Sequence, residues 1–164
     1  MAVLKILQYP HPLLKSRSKQ VQTIDARMTR IIQDLLDTLA SSPGVALAAP
    51  QIGESYRIIV CDVSRKIKEK HHGRIVLINP VIQRGEGKNI FREGCLSVPD
   101  YTGNVSRAER VWVKGLNPQG QRVNLIAEGF EALAFQHEMD HLDGILFLDR
   151  ISSLSTDLFR RKVY

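Results

Sequence analysis

The chain is short of several things, and each shortage narrows what it can be. No apolar run approaches the about 18 residues that cross a bilayer, and Met1–Leu7 lacks the apolar core of a secretory signal. A soluble, intracellular protein with no membrane partner is therefore expected. Only two cysteines occur, Cys61 and Cys95. One disulfide is arithmetically open, but in a reducing compartment a buried thiol or a metal thiolate is the expected use of each. Aromatic residues make up 6% of the chain, and no aromatic-rich RNA-reading motif accompanies the basic excess of 23 over 17, a net charge of +6. Those charges are scattered as on a solvated surface, so no sequence-specific nucleic acid is expected. Disorder is excluded by a hydrophobic share of 43% and a charged share of 24%. One domain spanning 1–164 has the length to bury its own core.

What is present is concentrated in Gln136-His137-Glu138-Met139-Asp140-His141-Leu142-Asp143-Gly144. On a helix the two histidines lie ~40° apart around the axis and ~6 Å apart along it, so both imidazoles can hold one metal ion. Glu138 falls ~80° off the line between them, close enough to act on a water at the metal without being a ligand. This is the H-E-x-x-H arrangement of two ligands and a carboxylate base. A surface helix that happens to carry two histidines and two acids is the plain alternative. Cys95, in Phe91-Arg92-Glu93-Gly94-Cys95-Leu96-Ser97-Val98-Pro99, is the candidate third ligand. One thiolate and two imidazoles leave a tetrahedral position open, as in catalytic sites, although a buried structural cysteine remains the alternative. The Leu96 amide beside it is a candidate oxyanion donor.

Other stretches supply the frame. Met28, Ile31, Ile32, Leu35, Leu36 and Leu39 recur at spacings of three and four, a helix capped by Thr23 or Asp25 and running to about Ser41. Gly44-Val45-Ala46-Leu47-Ala48-Ala49-Pro50-Gln51-Ile52-Gly53 is dense in small residues, suiting close backbone approach. Gln51 is its one functional group, either an oxyanion stabiliser or an exposed residue on a tight apolar loop. Residues 56–62 and 74–83 read as strands joined by a charged connection in which His71 and His72 are solvated. Residues 105–116 and 121–128 read as a hairpin around Asn117-Pro118-Gln119-Gly120. Arg107 is a possible partner for Glu93. The metal helix starts near Phe130, which lies with Leu133 and Ala134 on the ligand face, an apolar wall for either a pocket or the core. Residues 152–164 are expected to form a short terminal helix with a basic end at Arg160-Arg161-Lys162.

Three of these stretches, Gly44 to Gln51, Glu93-Gly94-Cys95-Leu96-Ser97 and Gln136 to His141, resemble in order and spacing the three signature motifs of peptide deformylase. Ile6-Leu7-Gln8-Tyr9-Pro10 is similar to that family's N-terminus, so the resemblance covers nearly the whole chain. It implies an α+β fold, antiparallel β-sheets packed around a central metal-binding helix, and a bacterial, cytoplasmic enzyme that removes the formyl group from the initiator methionine of nascent peptides. It further implies Fe2+ at Cys95, His137 and His141, with Zn2+, Ni2+ or Co2+ able to substitute. Glu138 is then the acid/base, with Gln51 and the Leu96 amide on the oxyanion. The substrate cleft maps to Val45, Ala46, Phe91, Glu93, Gly94, Phe130, Leu133 and Ala134, and Val45, Phe91, Phe130, Leu133 and Ala134 line the methionine pocket. A monomer docking near the ribosomal exit tunnel is implied as well, through a C-terminal helix for which the tail after Arg150 is short. One position departs from the motif: Ala46 stands where the family usually has glycine, and its methyl either narrows the cleft or, as is expected, is absorbed by a backbone already in an allowed region. The rival functions are an H-E-x-x-H metallopeptidase, which lacks its usual downstream ligand here, and a metal-free binding protein.

Overall fold

The structure is a computed structural model and describes residues 2–162. Helix α1 (Ala26–Ala40) begins where the Asp25 side chain accepts the Met28 N–H at 3.0 Å, and its apolar stripe is buried as the periodicity predicts. Five strands then build an antiparallel sheet in the order β1-β2-β3-β6-β7: β1 (Ala46–Ala48), β2 (Ile58–Asp62), β3 (Arg74–Glu86), β6 (Arg110–Leu116) and β7 (Arg122–Glu128). Between β3 and β6 runs a hairpin of β4 (Asn89–Cys95) and β5 (Val98–Arg107). It forms a second sheet, β4-β5-β8, with the C-terminal strand β8 (Leu158–Arg160).

Strand alternation assigns the large sheet's two faces. Ile58 and Val60 join Leu47 in a core with Ile31, Ile32 and Leu35 of α1. Ile59 and Cys61 turn the other way, with Ala46 and Ala48, onto helix α2 (Gly129–Leu142) and its Ala132 and Phe135. A third core, of Leu14, Cys95, Val98, Val105, Leu146 and Phe147, lies under the small sheet, with Phe147 on the short helix α3 (Phe147–Arg150). The metal-motif helix is thus central. Its residues from Glu131 to Phe135 are all buried, which a helix with one wet face cannot achieve.

Several expectations need correction. The Gly44–Gly53 stretch is no simple loop: Ala46–Ala48 pairs with β2, and Ala49–Ile52 makes one 3-10 turn. The strand expected over 105–116 is two, interrupted at Ala108-Glu109, because β5 leaves the small sheet before β6 enters the large one. No helix with a basic end closes the chain among the described residues. Leu154–Asp157 is one helical turn (α4), and β8 then pairs with β5, Thr102 opposite Phe159. Val163 and Tyr164 lie outside the described residues. His72 is tied down, its Nδ1 2.6 Å from Glu131 Oε1 and its N–H donating to Oε2 at 2.8 Å.

Candidate active site

Three ligand candidates from two distant segments converge. β4 carries Cys95 to the turn before β5, where the Ser97 N–H donates to its sulfur at 3.4 Å. There Sγ lies 3.3 Å from His141 Nε2. One donor atom from each of Cys95, His137 and His141 falls within 4.8 Å of the others. The two imidazoles stand edge to face with centroids 5.0 Å apart, as four residues of helix dictate. Gln51 is not exposed on a loop but buried in the 3-10 turn. Its Oε1 accepts the Ala48 N–H at 2.9 Å, while Nε2 donates to Ser97 Oγ at 3.0 Å and sits 3.9 Å from Cys95 Sγ.

Behind the ligands runs a charge network, buried from Glu93 to Asp140 and reaching the surface at Arg150, of which the sequence suggested one pair. Glu93 Oε1 accepts from His137 Nδ1 at 2.7 Å, which leaves His137 Nε2 to face the sulfur. Arg107 grips the same carboxylate through two nitrogens, Nε at 2.6 Å and Nη2 at 2.9 Å, and reaches Asp140 Oδ2 with Nη1 at 2.7 Å. Arg150 closes the chain on Asp140, with Nε at 2.5 Å and Nη2 at 2.7 Å. Glu93 is therefore a support for His137 as well as part of the cleft.

These contacts set the ionisation pattern. Burial favours a neutral Glu93, but hydrogen bonds from His137 and Arg107 outweigh it and hold the carboxyl below its ordinary range. His137 is pushed well up: burial opposes its charge, but the Cys95 sulfur and the Glu93 carboxylate overcome that. Burial and the charge on His137 drive His141 well down. Glu138 rises from 4.5 to about 7, chiefly by burial, with Glu93 and Asp140 adding to the effect against His137 and Arg107. The protein alone thus keeps one positive charge between the Cys95 sulfur and the Glu93 carboxylate. Its donor set of one soft sulfur and two imidazoles suits a transition-metal cation in that place. Glu138 Oε2 is buried beside it with no hydrogen-bond partner, an acceptor turned to something other than protein.

A cavity of about 460 Å³ opens on this cluster. Val45, Ala46, Phe130, Leu133 and Ala134 line its apolar part, and Gln51, Glu93, Gly94, Leu96, His137 and Glu138 also face it. Phe91 does not. It pairs with Val105, four strand residues before Cys95, which at ~3.3 Å per residue leaves it ~13 Å away. Its neighbour Arg92 lines the cavity instead, with Lys66 and Arg161, none of which the sequence singled out. Arg161 reaches in because Gly94 has no side chain; a Cβ there would run into its guanidinium. Ala46 sits in β1 without a positive φ, since Asn79 is the only non-glycine residue with one among those described, so its methyl causes no backbone strain.

Residues 3–157 match the family model for polypeptide deformylase. The chain belongs to that family. It is 48% identical over 158 residues to the peptide deformylase of Halothermothrix orenii, covering 96% of this chain and 99% of that one. The crystal structure of a Legionella pneumophila peptide deformylase superimposes with a TM-score of 0.86 at 43% identity, covering 93% of this chain and 88% of that one. A Met-Ala-Ser-bound crystal structure of the class I type b enzyme of Acinetobacter baumannii gives 0.85 at 35% identity, over 92% and 99%. With its Cys-His-His cluster, this member of the deformylase family is a metal-dependent hydrolase that removes the formyl group from N-terminal methionine.

Proposed function

We propose that Cys95, His137 and His141 hold one ferrous ion, for which zinc, nickel or cobalt can substitute, and that Glu138 is the acid/base on formyl-methionyl peptides. The observation that carries this is the Cys95 sulfur 3.3 Å from His141 Nε2, with the unpartnered Glu138 carboxylate oxygen buried in the same cluster. When bound, the ion supplies Lewis acidity that makes a water nucleophilic near neutral pH.

The chain's own residues do the rest. β1 and β4 are each the terminal strand of their sheet, and both line the cavity, so their free edges can pair with an extended peptide backbone between them. Val45, Phe130, Leu133 and Ala134 then receive the methionine side chain. The Met-Ala-Ser-bound relative supports a peptide beginning with methionine as the occupant. Glu138, raised to about 7, takes the proton of the attacking water at its carboxylate and returns it to the leaving amine nitrogen. Gln51 Nε2 and the Leu96 N–H donate to the formyl oxygen as it gains negative charge. Glu93 fixes the His137 tautomer.

The test is formate release from formyl-Met-Ala, run without oxygen, with and without added Fe(II), alongside metal content per chain. Formate with about one ion per chain is expected, with no cleavage of unformylated peptides. A metal-loaded protein that releases no formate refutes the assignment.

A further inference from the structure

The cavity is apolar on the α2 side and cationic on the other. Its ionisable lining, apart from the ligand cluster, is Glu93, Glu138, Lys66, Arg92 and Arg161. Both acids are buried, and Glu93 is neutralised by Arg107. The outward-facing charge is therefore positive. Arg92 is held in place rather than swinging in solvent: its guanidinium carbon lies 3.4 Å from the Phe159 ring centroid, and its Nε donates to Asn104 Oδ1 at 3.1 Å. Those contacts leave its two Nη groups without a protein partner among the described residues. Lys66 approaches from the turn after β2 and forms no ion pair among the described residues. Two side chains from unrelated segments, one of them fixed in place by stacking, thus present unspent positive charge to the cavity into which the methionine-lining residues also face.

We propose that this cleft selects formyl-methionyl peptides carrying an acidic side chain at the second or third residue, with Arg92 and Lys66 as the specificity-determining groups. The inference rests on the deformylase reading of the site and names a substrate class within it. A cavity of about 460 Å³ admits a peptide but not a nucleic acid helix, so the cations are assigned to the substrate and not to RNA. Pairs of this kind, partly open to solvent, each change a rate by no more than about fivefold. Replacing lysine by aspartate at one peptide position should therefore raise kcat/KM about tenfold.

The experiment uses formyl-Met-Ala-Ser amides with Asp, Ser or Lys placed in turn at positions two and three, the amide removing the terminal carboxylate that would otherwise satisfy the same cations. The readout is the Asp-to-Lys ratio of kcat/KM within each protein, which is independent of how much of a variant is folded. The double variant Arg92→Glu/Lys66→Glu should reverse that ratio. Lys114→Glu, on β6 and outside the cavity lining, should leave it as in the parent, so that bulk net charge is separated from the local effect. Salt at about 0.5 M, where screening acts within a few ångström, should shrink the ratio. Equal rates for Asp, Ser and Lys at both positions overturn the charge preference alone, as does a ratio that falls as much with Lys114→Glu as with the double variant. No formate from any peptide overturns the deformylase reading itself.

Discussion

Glu138 carries a cost in the folded chain that can be measured without any turnover. Its rise from 4.5 to about 7 means that folding prefers the protonated carboxyl, because the charged form is buried against Glu93 and Asp140. At ~1.4 kcal/mol for each tenfold change in ionisation, the charged form costs about 3 kcal/mol. This contribution to stability is complete below pH 4.5 and is lost as the pH climbs through about 7. Glu138→Gln removes the charge and keeps the shape. In the presence of a chelator, urea denaturation should find the variant more stable than the parent by about 3 kcal/mol at pH 8, with the gap closing toward pH 4.5. The metal-loaded variant should keep its ion and lose formate release by about a thousandfold, the range expected for a lost acid/base. An advantage that does not change with pH, or a variant less stable at pH 8, would show that burial does not set this carboxyl's ionisation. Full activity in Glu138→Gln would remove it from the chemistry.

Arg107→Ala should destabilise the protein by about 3 kcal/mol in denaturant titrations, because the buried Glu93 would lose its guanidinium and keep only the His137 contact, while Asp140 would keep only Arg150. Glu93→Gln should weaken metal affinity about 10–100-fold in competition with a chromophoric chelator, since the His137 Nδ1 proton loses its charged acceptor. Gly144 has φ 73°, and a Cβ there would meet the Lys15 carbonyl, so Gly144→Ala should cost about 2 kcal/mol or more by calorimetry. Ala46→Gly should cost about 0.5–1 kcal/mol and leave kcat/KM unchanged, because the methyl occupies ordinary strand geometry; a clear gain in rate would show that it crowds the cleft.

Legibility followed how local each signal is. Helix α1 declared itself because one face of a helix against a core must repeat every three to four residues. The two histidines were legible because the helix alone sets their spacing, and Cys95 because soft sulfur beside a glycine suits a metal. What the sequence concealed depends on partners far along the chain. β4 and the part of β5 before Val105 escaped notice because β4 is an edge beside a cavity and carries Asn89, Arg92 and Glu93 rather than alternating apolar residues. Gln51 looked exposable because its buried partners, Ala48 N and Ser97 Oγ, come from both sides of the site. Arg161 reads as an ordinary basic tail until β8 lays it beside Gly94. Phe91 followed the motif by proximity, and only strand length places it out of range.

The Glu93–Arg107–Asp140–Arg150 chain joins the strand that bears the sulfur to the helix that bears both imidazoles through ion pairs of the protein's own. The chamber therefore has a brace of its own, separate from the three donor side chains. A substitution along that brace should therefore disturb the spacing of sulfur and imidazoles even where it alters no donor.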